Sequence, residues 1–414
     1  MKTKSLFIFY LIAFLSLLSS CVKENAISSD ELVPRKDIVL TRAQMEAVRN
    51  NNRMFAYQLF KNLSAKEDGK SMLISPLSVT FAMGMVSSGA VGQTQESICA
   101  VLGFDEESQD GLNDFCHSMI KQSVEIDPST KIGFANAAIV NKARFSLRND
   151  YIKTVESNYD ALVYYKDFAK EDIQGFVNNW CKEKTNGMIP IFLKDKVSSE
   201  DKAKFLNATY FKGIWADKFS KNESKKDKFI CEDGSKITVN MMHKEFTDKS
   251  YSYVDGLCKE TALEFGNGAF IMIIYLPGDG RTIDDIKDWL IDPSLYPKAT
   301  SLKGKLDIKL PSFETEYEDN IIKTLSQMGM TINSKDFSKM TETDFVNLSH
   351  VYHKTKIKVD ENGSEAAAIT EVGARFGSGC KYEDSNFHAD HPFVYTIHEV
   401  STGAIFFIGQ YTGK

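Results

Sequence analysis

The 414-residue chain contains few cysteines, and none of the seven lies in a Cys-x-x-Cys pair. Cys21 belongs to a leader segment described below. The other six are widely and irregularly spaced, at Cys99, Cys116, Cys181, Cys231, Cys258 and Cys380. This spacing argues against a zinc knuckle, and a chain of this length does not need disulfides to hold its fold. We therefore expect no structural metal, while the sequence leaves the redox state of these thiols open.

Short catalytic motifs are also missing. The chain has no Gly-x-Ser-x-Gly, no His-Glu-x-x-His and no phosphate-binding loop. The pair His350 and His353 and the histidines at 388–391 lack the third and fourth donors that a metal site needs. We predict no metal, no cofactor and no enzymatic activity. The remaining enzymatic alternative is a hydrolase that pairs Cys380 with a histidine at 388–391.

An excess of basic residues is absent, since 50 Lys and Arg stand against 56 Asp and Glu. Nucleic acid is therefore not expected as a partner. No repeat period and no change in composition divides the chain after Arg42. A hydrophobic content of 43% suits a large folded core, so we predict one domain at 42–414.

The first 20 residues have the pattern of an export signal, in which Lys2 and Lys4 precede an apolar run at 6–18 that is too short to span a bilayer comfortably. Leu-Ser-Ser then leads directly into Cys21, which resembles the lipobox of bacterial lipoproteins. The resemblance implies a lipid-carrying Cys21, a membrane partner and a location in the bacterial cell envelope, at the outer membrane or cell surface. An ordinary secretory signal is the alternative. Residues 21–41 lack helical periodicity and form the predicted tether.

Apolar spacing in the domain predicts an α+β fold. Helices are predicted at 42–63, 174–184 and 320–328, and strands at 132–140 and 270–277. Ser75 before Pro76 predicts a second helix that runs towards Gly89. Thr94 is predicted to cap a third helix, which ends at Gly103.

One stretch near the C-terminus, at 360–380, has strand-like alternation. Its even positions are uncharged and mostly small: Ser364, Ala366, Ala368, Thr370, Val372, Ala374 and Phe376. Its odd positions include Glu365, Glu371 and Arg375. Such a segment can lay one small face into a core and show its charges to water. Glycines at 373, 377 and 379 weaken a strand, however, and a surface helix capped by Ser364 is the other interpretation.

Two segments at this end of the chain resemble the serpin family of protease inhibitors. Residues 361–370, ENGSEAAAIT, are similar to the serpin hinge, and residues 387–397, FHADHPFVYTI, are similar to the serpin signature. Further matches lie at 75–78, 89–94, 185–189, 207–215 and 310–313. The resemblance covers nearly everything from Asn51 to Gly413, so the chain is identified as a member of this family.

The resemblance implies a fold with three β-sheets, about eight or nine helices and an exposed reactive loop near the C-terminus, at 361–386. It also implies a mechanism. A target protease attacks the loop as a substrate, and the cut loop inserts as a new strand of the largest sheet before the covalent acyl-enzyme hydrolyses. The protein would then be a monomeric suicide inhibitor. The alternative is a non-inhibitory serpin that acts as a surface binding protein.

The hinge residues implied by this resemblance are Glu361, Gly363, Ser364, Ala366, Ala368 and Thr370. The side chains of Ser364, Ala366, Ala368 and Thr370 are small and uncharged. This favours insertion, because burying an unpaired charge would slow a step that competes with hydrolysis. The common serpin spacing, counted from Glu361, places the reactive bond between Gly377 and Ser378. Phe376 and Arg375 are the alternatives, and a count from Pro392 ends near Lys381.

These residues imply the class of target. Glycine before the bond suits elastase-like or subtilisin-like serine proteases, Phe376 suits papain-like cysteine proteases, and Arg375 suits trypsin. Other family positions also carry over. Trp215 matches the tryptophan beneath the point where the loop inserts. A polar cluster at which the central strands part is matched by Ser75, Ser78, Asn207 and His353. The two serines can also be read as helix caps, and His353 as a core histidine. Ser71 departs from the family pattern, since many relatives have asparagine there.

Overall fold

The computed structural model describes residues 33–104, 109–342, 345–346, 348, 350–361 and 381–414. Cys21, the hinge from Gly363 to Thr370 and the predicted bond at Gly377 and Ser378, with Phe376 and Arg375, lie outside the described residues. Both ends of the predicted loop, Glu361 and Lys381, lie within them.

The described helices are α1 (Arg42–Ala47), α2 (Arg53–Ser64), α3 (Pro76–Ser88), α4 (Gly92–Leu102), α5 (Gln109–Ser123), α6 (Asn149–Tyr159), α7 (Ile173–Lys184), α8 (Ile283–Ile291) and α9 (Ile322–Gln327). A π-helical turn at Val48–Asn52 joins α1 to α2, so these two form the single helix that the sequence predicts at 42–63. The helices predicted at 174–184 and 320–328 are confirmed as α7 and α9.

Two of the predicted helix ends are confirmed and one is wrong. The Ser75 side chain accepts from the Ser78 amide and caps α3, and Gly103 ends α4 with a left-handed φ of 84°. Thr94 does not cap α4, because that helix already begins at Gly92. The Thr94 hydroxyl instead donates to the Asp336 carboxylate at 2.8 Å and so ties α4 to a distant loop.

The described strands are β1 (Met72–Ile74), β2 (Lys131–Asn141), β3 (Leu162–Lys166), β4 (Ala203–Lys212), β5 (Lys225–Ile230), β6 (Lys236–Val254), β7 (Cys258–Phe265), β8 (Phe270–Pro277), β9 (Thr300–Pro311), β10 (Phe313–Asn320), β11 (Tyr352–Val359), β12 (Lys381–Tyr382), β13 (Ser385–His388), β14 (Phe393–Glu399) and β15 (Ile405–Tyr411). The predicted strands at 132–140 and 270–277 are confirmed as β2 and β8.

These strands form three sheets. Sheet A has five strands in the order β10-β11-β4-β2-β3. Sheet B has the order β1-β15-β14-β8-β7-β6, and sheet C contains β5, β6, β9, β12 and β13. Strand β6 is 19 residues long and belongs to both B and C, which joins them into one hydrogen-bonded network.

A small separate core lies between sheet A and α7. Val177 and Trp180 of α7 pack here with Ala137 of β2 and Leu206 of β4, and all four side chains are buried. The apolar face of α7 is therefore fixed to the β2 and β4 side of sheet A. The remaining buried side chains form one large core that is shared by the sheets and the other helices.

The end of the predicted tether packs against the domain. The Val33 carbonyl accepts from the Asn267 side chain at 3.1 Å, and the buried Ile38 donates its amide to the Ser401 hydroxyl at 3.0 Å. The segment therefore contacts the domain from Val33 onward, before the predicted boundary at Arg42. Within the described ranges, none of the helices is long and apolar enough to cross a membrane.

Five cysteines lie in the described part, and all five are buried free thiols: Cys99, Cys116, Cys181, Cys231 and Cys258. Burial raises the pKa of the Cys181 thiol to about 12, and the nearby Lys354 ammonium only partly offsets this. In the structure these five thiols form no disulfide.

Candidate functional site

The centre of sheet A contains a junction between two parallel strands, β4 and β11, which we call the seam. Thr355 pairs with Thr209 and Lys356 with Tyr210, and this is the whole bonded register between the two described strands. Strand β11 ends at Val359, and the chain turns at 360–361. A segment that continued from there back into the seam would run antiparallel to both strands. It would replace one parallel pairing with two antiparallel pairings, which are slightly more stable per residue.

The upper end of the seam is held by Trp215. Its indole N–H donates to the Asp360 carbonyl at 2.9 Å, and its ring stacks on Phe265 with 4.4 Å between the ring centroids. Trp215 follows β4 closely in the chain, whereas Asp360 follows β11. The structure thus places Trp215 against Asp360, the residue that precedes the predicted hinge.

Glu361, the first residue of the predicted hinge, is held from the side by Asn240 of β6. The Asn240 side-chain amide donates to Glu361 Oε1 at 2.6 Å. Burial alone would raise the pKa of Glu361, but hydrogen bonds from its own backbone, Asn240 and Ser224 hold that pKa below its usual range. Sequence reasoning missed Asn240, because this position is distant in the chain and belongs to no motif.

A buried chain of side-chain hydrogen bonds runs from the first turn of α3 across the strands. The Ser78 hydroxyl donates to Asn207 of β4, and the Asn207 amide donates to Asn136 of β2 at 2.6 Å. Asn136 in turn donates to the Tyr159 carbonyl at 2.7 Å, at the end of α6. The structure therefore brings Ser78 and Asn207 together, and it adds Asn136, which the sequence did not indicate.

His353 connects β11 to the same turn of α3. Its Nε2 accepts from the Ser75 backbone amide at 3.1 Å, and burial lowers the pKa of His353 to about 4. The imidazole is therefore neutral near pH 7. Strand β11 is bonded to α3 through Ser75, and β4 is bonded to α3 through Ser78. The first turn of α3 therefore holds the two sides of the seam independently.

Ser71, the position that departs from the family pattern, contacts a different part of the protein. Its amide donates to the Lys414 carbonyl at 2.9 Å, and its hydroxyl accepts from the Thr412 amide at 3.0 Å. The departure therefore bears on the attachment of the C-terminus to β1.

The C-terminal end of the predicted loop, at 381–386, contains β12 and the first residues of β13. Lys381 pairs in parallel with Leu302 and Ser385 with Leu306 of β9, in one continuous register. The loop predicted at 361–386 was therefore too long at this end. Lys381, which the count from Pro392 reached, belongs to β12.

The histidines considered as metal ligands have protein partners. Asp307 accepts from His243 at 2.7 Å and from His388 at 2.9 Å. Burial opposes ionisation of Asp307, but these two histidines hold the pKa of its carboxyl below its usual range. His391 bonds Asp390 at 2.8 Å, and His350 stacks on a tyrosine ring. Among the described residues, no group of three or more His, Cys, Asp or Glu side chains is placed to hold a metal ion.

Comparisons with known proteins cover the whole domain. The family model described as Serpin (serine protease inhibitor) matches residues 50–413. Serpin B3 of Homo sapiens is 29% identical over 392 residues, which are 89% of this chain and 100% of that protein. The leukocyte elastase inhibitor of Homo sapiens is 30% identical over 391 residues, again 89% and 100%.

Two solved structures have the same architecture. Tengpin, a thermophilic serpin in its native state, matches with a TM-score of 0.75 and 25% identity over 93% of this chain and 97% of its own. AtSerpin1 of Arabidopsis, in a native stressed conformation, matches with a TM-score of 0.77 and 25% identity over 90% and 99%.

Proposed function

This chain belongs to the serpin family, and we propose that it inhibits a protease by acting as a suicide substrate. Relatives that are named as elastase inhibitors support protease inhibition at the level of the family. The observation that carries the proposal for this chain is the seam, where β11 pairs directly with β4 in parallel and ends at Val359, two residues before Glu361. Among the residues that follow Glu361, those at the even positions Ser364, Ala366, Ala368 and Thr370 are small and uncharged, as a central strand can accept.

The chemistry is that of an interrupted hydrolysis. The protease nucleophile attacks the carbonyl carbon of Gly377, and an acyl bond forms as the bond to the Ser378 nitrogen breaks. That nitrogen leaves as a protonated amine with the C-terminal part of the chain. Water would normally release the acyl group. Insertion of the hinge from Ser364 to Thr370 into the seam moves the acyl-enzyme before this second step and traps the protease.

The target is proposed to be an elastase-like or subtilisin-like serine protease, with a papain-like cysteine protease as the alternative if the bond after Phe376 is cut. Incubation with a panel of these proteases should give a complex that survives SDS and a peptide that begins at Ser378. Cleavage by every protease without any complex would contradict the proposal. If cleavage also left the unfolding temperature unchanged, the protein would be a non-inhibitory binding serpin.

We also propose that a lipid on Cys21 anchors the protein in the bacterial cell envelope. The lipobox-like sequence supports this, and the contact of Val33 with Asn267 leaves about a dozen residues as a tether, a reach of up to about 40 Å. Expression of the full chain with a radioactive fatty acid should label the membrane fraction. Cys21→Ser should abolish the label. Labelling that persists in this variant would exclude Cys21 as the site.

A further inference from the structure

A ladder of ion pairs lines the outer face of β10 and β11. The Lys354 ammonium lies 2.9 Å from a carboxylate oxygen of Glu316 and 2.9 Å from one of Glu318. The Lys354 side chain is only 4% exposed. Burial alone would lower its pKa, but the two carboxylates raise it above the usual value, so Lys354 remains charged.

Glu318 has a second partner that comes from outside the strands. The Lys194 ammonium lies 3.1 Å from Glu318 Oε2, and Lys194 belongs to the segment that connects α7 to β4. Two side chains of α7 hold this segment. Gln174 donates to the Lys194 carbonyl at 2.6 Å, and the Asn178 carbonyl accepts from the Leu193 amide at 2.7 Å. Lys194 is thus attached to α7.

The Lys194–Glu318 pair therefore joins the two halves of sheet A. Helix α7 packs on β2 and β4 through the small core that contains Val177, Trp180 and Leu206. Glu318 lies on β10, which pairs with β11 on the other side of the seam. A new strand in the seam would lie about 4.8 Å from each neighbour and would therefore move β11 about 4.8 Å further from β4. This separation pulls apart a 3.1 Å ion pair that links the two halves, unless the Lys194 side chain or its segment moves with Glu318.

We propose that Lys194 is a positioning residue that delays opening of the seam, because its pair with Glu318 is made only while β11 lies against β4. This regulation rests on the proposed insertion function, although the opening can be measured without a protease. Lys354 belongs to the same network, but its pairs with Glu316 and Glu318 lie within one half and can persist on insertion.

A synthetic peptide with the sequence of residues 364–376 tests the proposal, since it should occupy the seam in the intact full-length protein. With Lys194→Ala we expect the peptide to incorporate about two- to fivefold faster than with the wild type, the range that an exposed ion pair supports. Lys196→Ala changes an exposed lysine of the same segment and should leave the rate unchanged. Lys194→Arg should retain the wild-type rate, and the effect of Lys194→Ala should disappear in about 1 M salt, where charges are screened within roughly 3 Å.

Equal rates for Lys194→Ala and Lys196→Ala would overturn the proposal, as would a difference that persists at high salt. If the peptide enters none of the proteins, hydrogen exchange of the backbone amides at 355–356 tests the proposal instead. These amides should exchange faster in Lys194→Ala than in Lys196→Ala, and equal exchange rates would overturn the proposal. These results are independent of the protease panel. If the protein formed no complex with any protease but Lys194→Ala still took up the peptide faster, the proposed inhibitory function would fail and the proposed role of Lys194 would stand.

Discussion

The indole N–H of Trp215 donates to the Asp360 carbonyl across 2.9 Å, and so a residue that follows β4 holds the end of β11. Further along the seam, the two strands are joined by the short parallel register at Thr355 and Lys356. Each strand is also bonded separately to the first turn of α3. If the seam opens from the end at which β11 finishes, the hydrogen bond between Trp215 and Asp360 must therefore break early.

Trp215→Phe should retain the ring stacked on Phe265 and remove the hydrogen bond to Asp360. We expect a loss of about 1 kcal/mol in the free energy of unfolding, the usual net value of one such bond. Urea titration followed by far-UV circular dichroism measures it. Trp289→Phe in α8 is the control, since Trp289 is remote from the seam. A loss no larger than that of the control would show that the Asp360 bond contributes nothing.

Asn240→Ala should remove the strongest external donor to Glu361. Because the folded pKa of Glu361 is depressed, its stabilisation is present above the unfolded pKa near 4.5 and is lost as pH falls through the lower folded pKa. We expect the variant to be less stable than wild type by about 1 kcal/mol at pH 7, with the difference shrinking below pH about 4. Unfolding midpoints at both pH values measure this. A difference that stays constant with pH would mean that Asn240 acts only through packing.

His353→Gln should reduce the acid sensitivity of the fold. The native pKa is about 4 against an ordinary 6.5, so the unfolded state binds more protons and the wild type loses stability as pH falls from 6.5 towards 4. That loss is about 3 kcal/mol for His353, at about 1.4 kcal/mol per pH unit. Glutamine can accept from the Ser75 amide without titrating. His117→Gln, at an exposed position, should keep the wild-type pH profile, and an identical profile for both variants would contradict the assignment.

Ser364→Arg should convert the inhibitor into a substrate. If residues at even positions face the sheet interior on insertion, an arginine there must be buried without a partner, which costs several kcal/mol and gives hydrolysis time to finish. Glu365→Arg is the matched control, because the odd positions would face solvent. The fraction of protease trapped as SDS-resistant complex should fall only for Ser364→Arg. An equal yield for both would show that the alternation of the hinge has no role in insertion.

Local patterns in the sequence predicted local structure well. The apolar run of β8 and the Ser75-Pro76 start of α3 depend on neighbouring residues, and the structure confirms both. Trp215 lies beside Asp360, although they are 145 residues apart in the chain, and only the family resemblance drew attention to this tryptophan.

Contacts between distant segments were the part that the sequence could not supply. Nothing in the surroundings of Asn240 or Asn136 marks either residue, since their partners are set by strand register. Thr94 was predicted to cap α4 from its neighbours alone. The sequence could not show that its hydroxyl bonds Asp336 instead, because Asp336 lies 242 residues later. Strand β12 was read as loop because Lys381 and Tyr382 are both exposed, so no apolar alternation identifies it.

The buried position of β14 has a consequence for the molecule after cleavage. All seven residues of β14 are buried, and the strand lies between β8 and β15. A cut at Gly377 would leave β12 to β15 on a separate chain that remains inside the core. The protein would become a complex of two chains, and none of the five described cysteines, which all precede the cut, forms a disulfide. Unfolding of the cut protein would then release two separate chains. Its unfolding midpoint should therefore rise with protein concentration, whereas that of the intact chain should not.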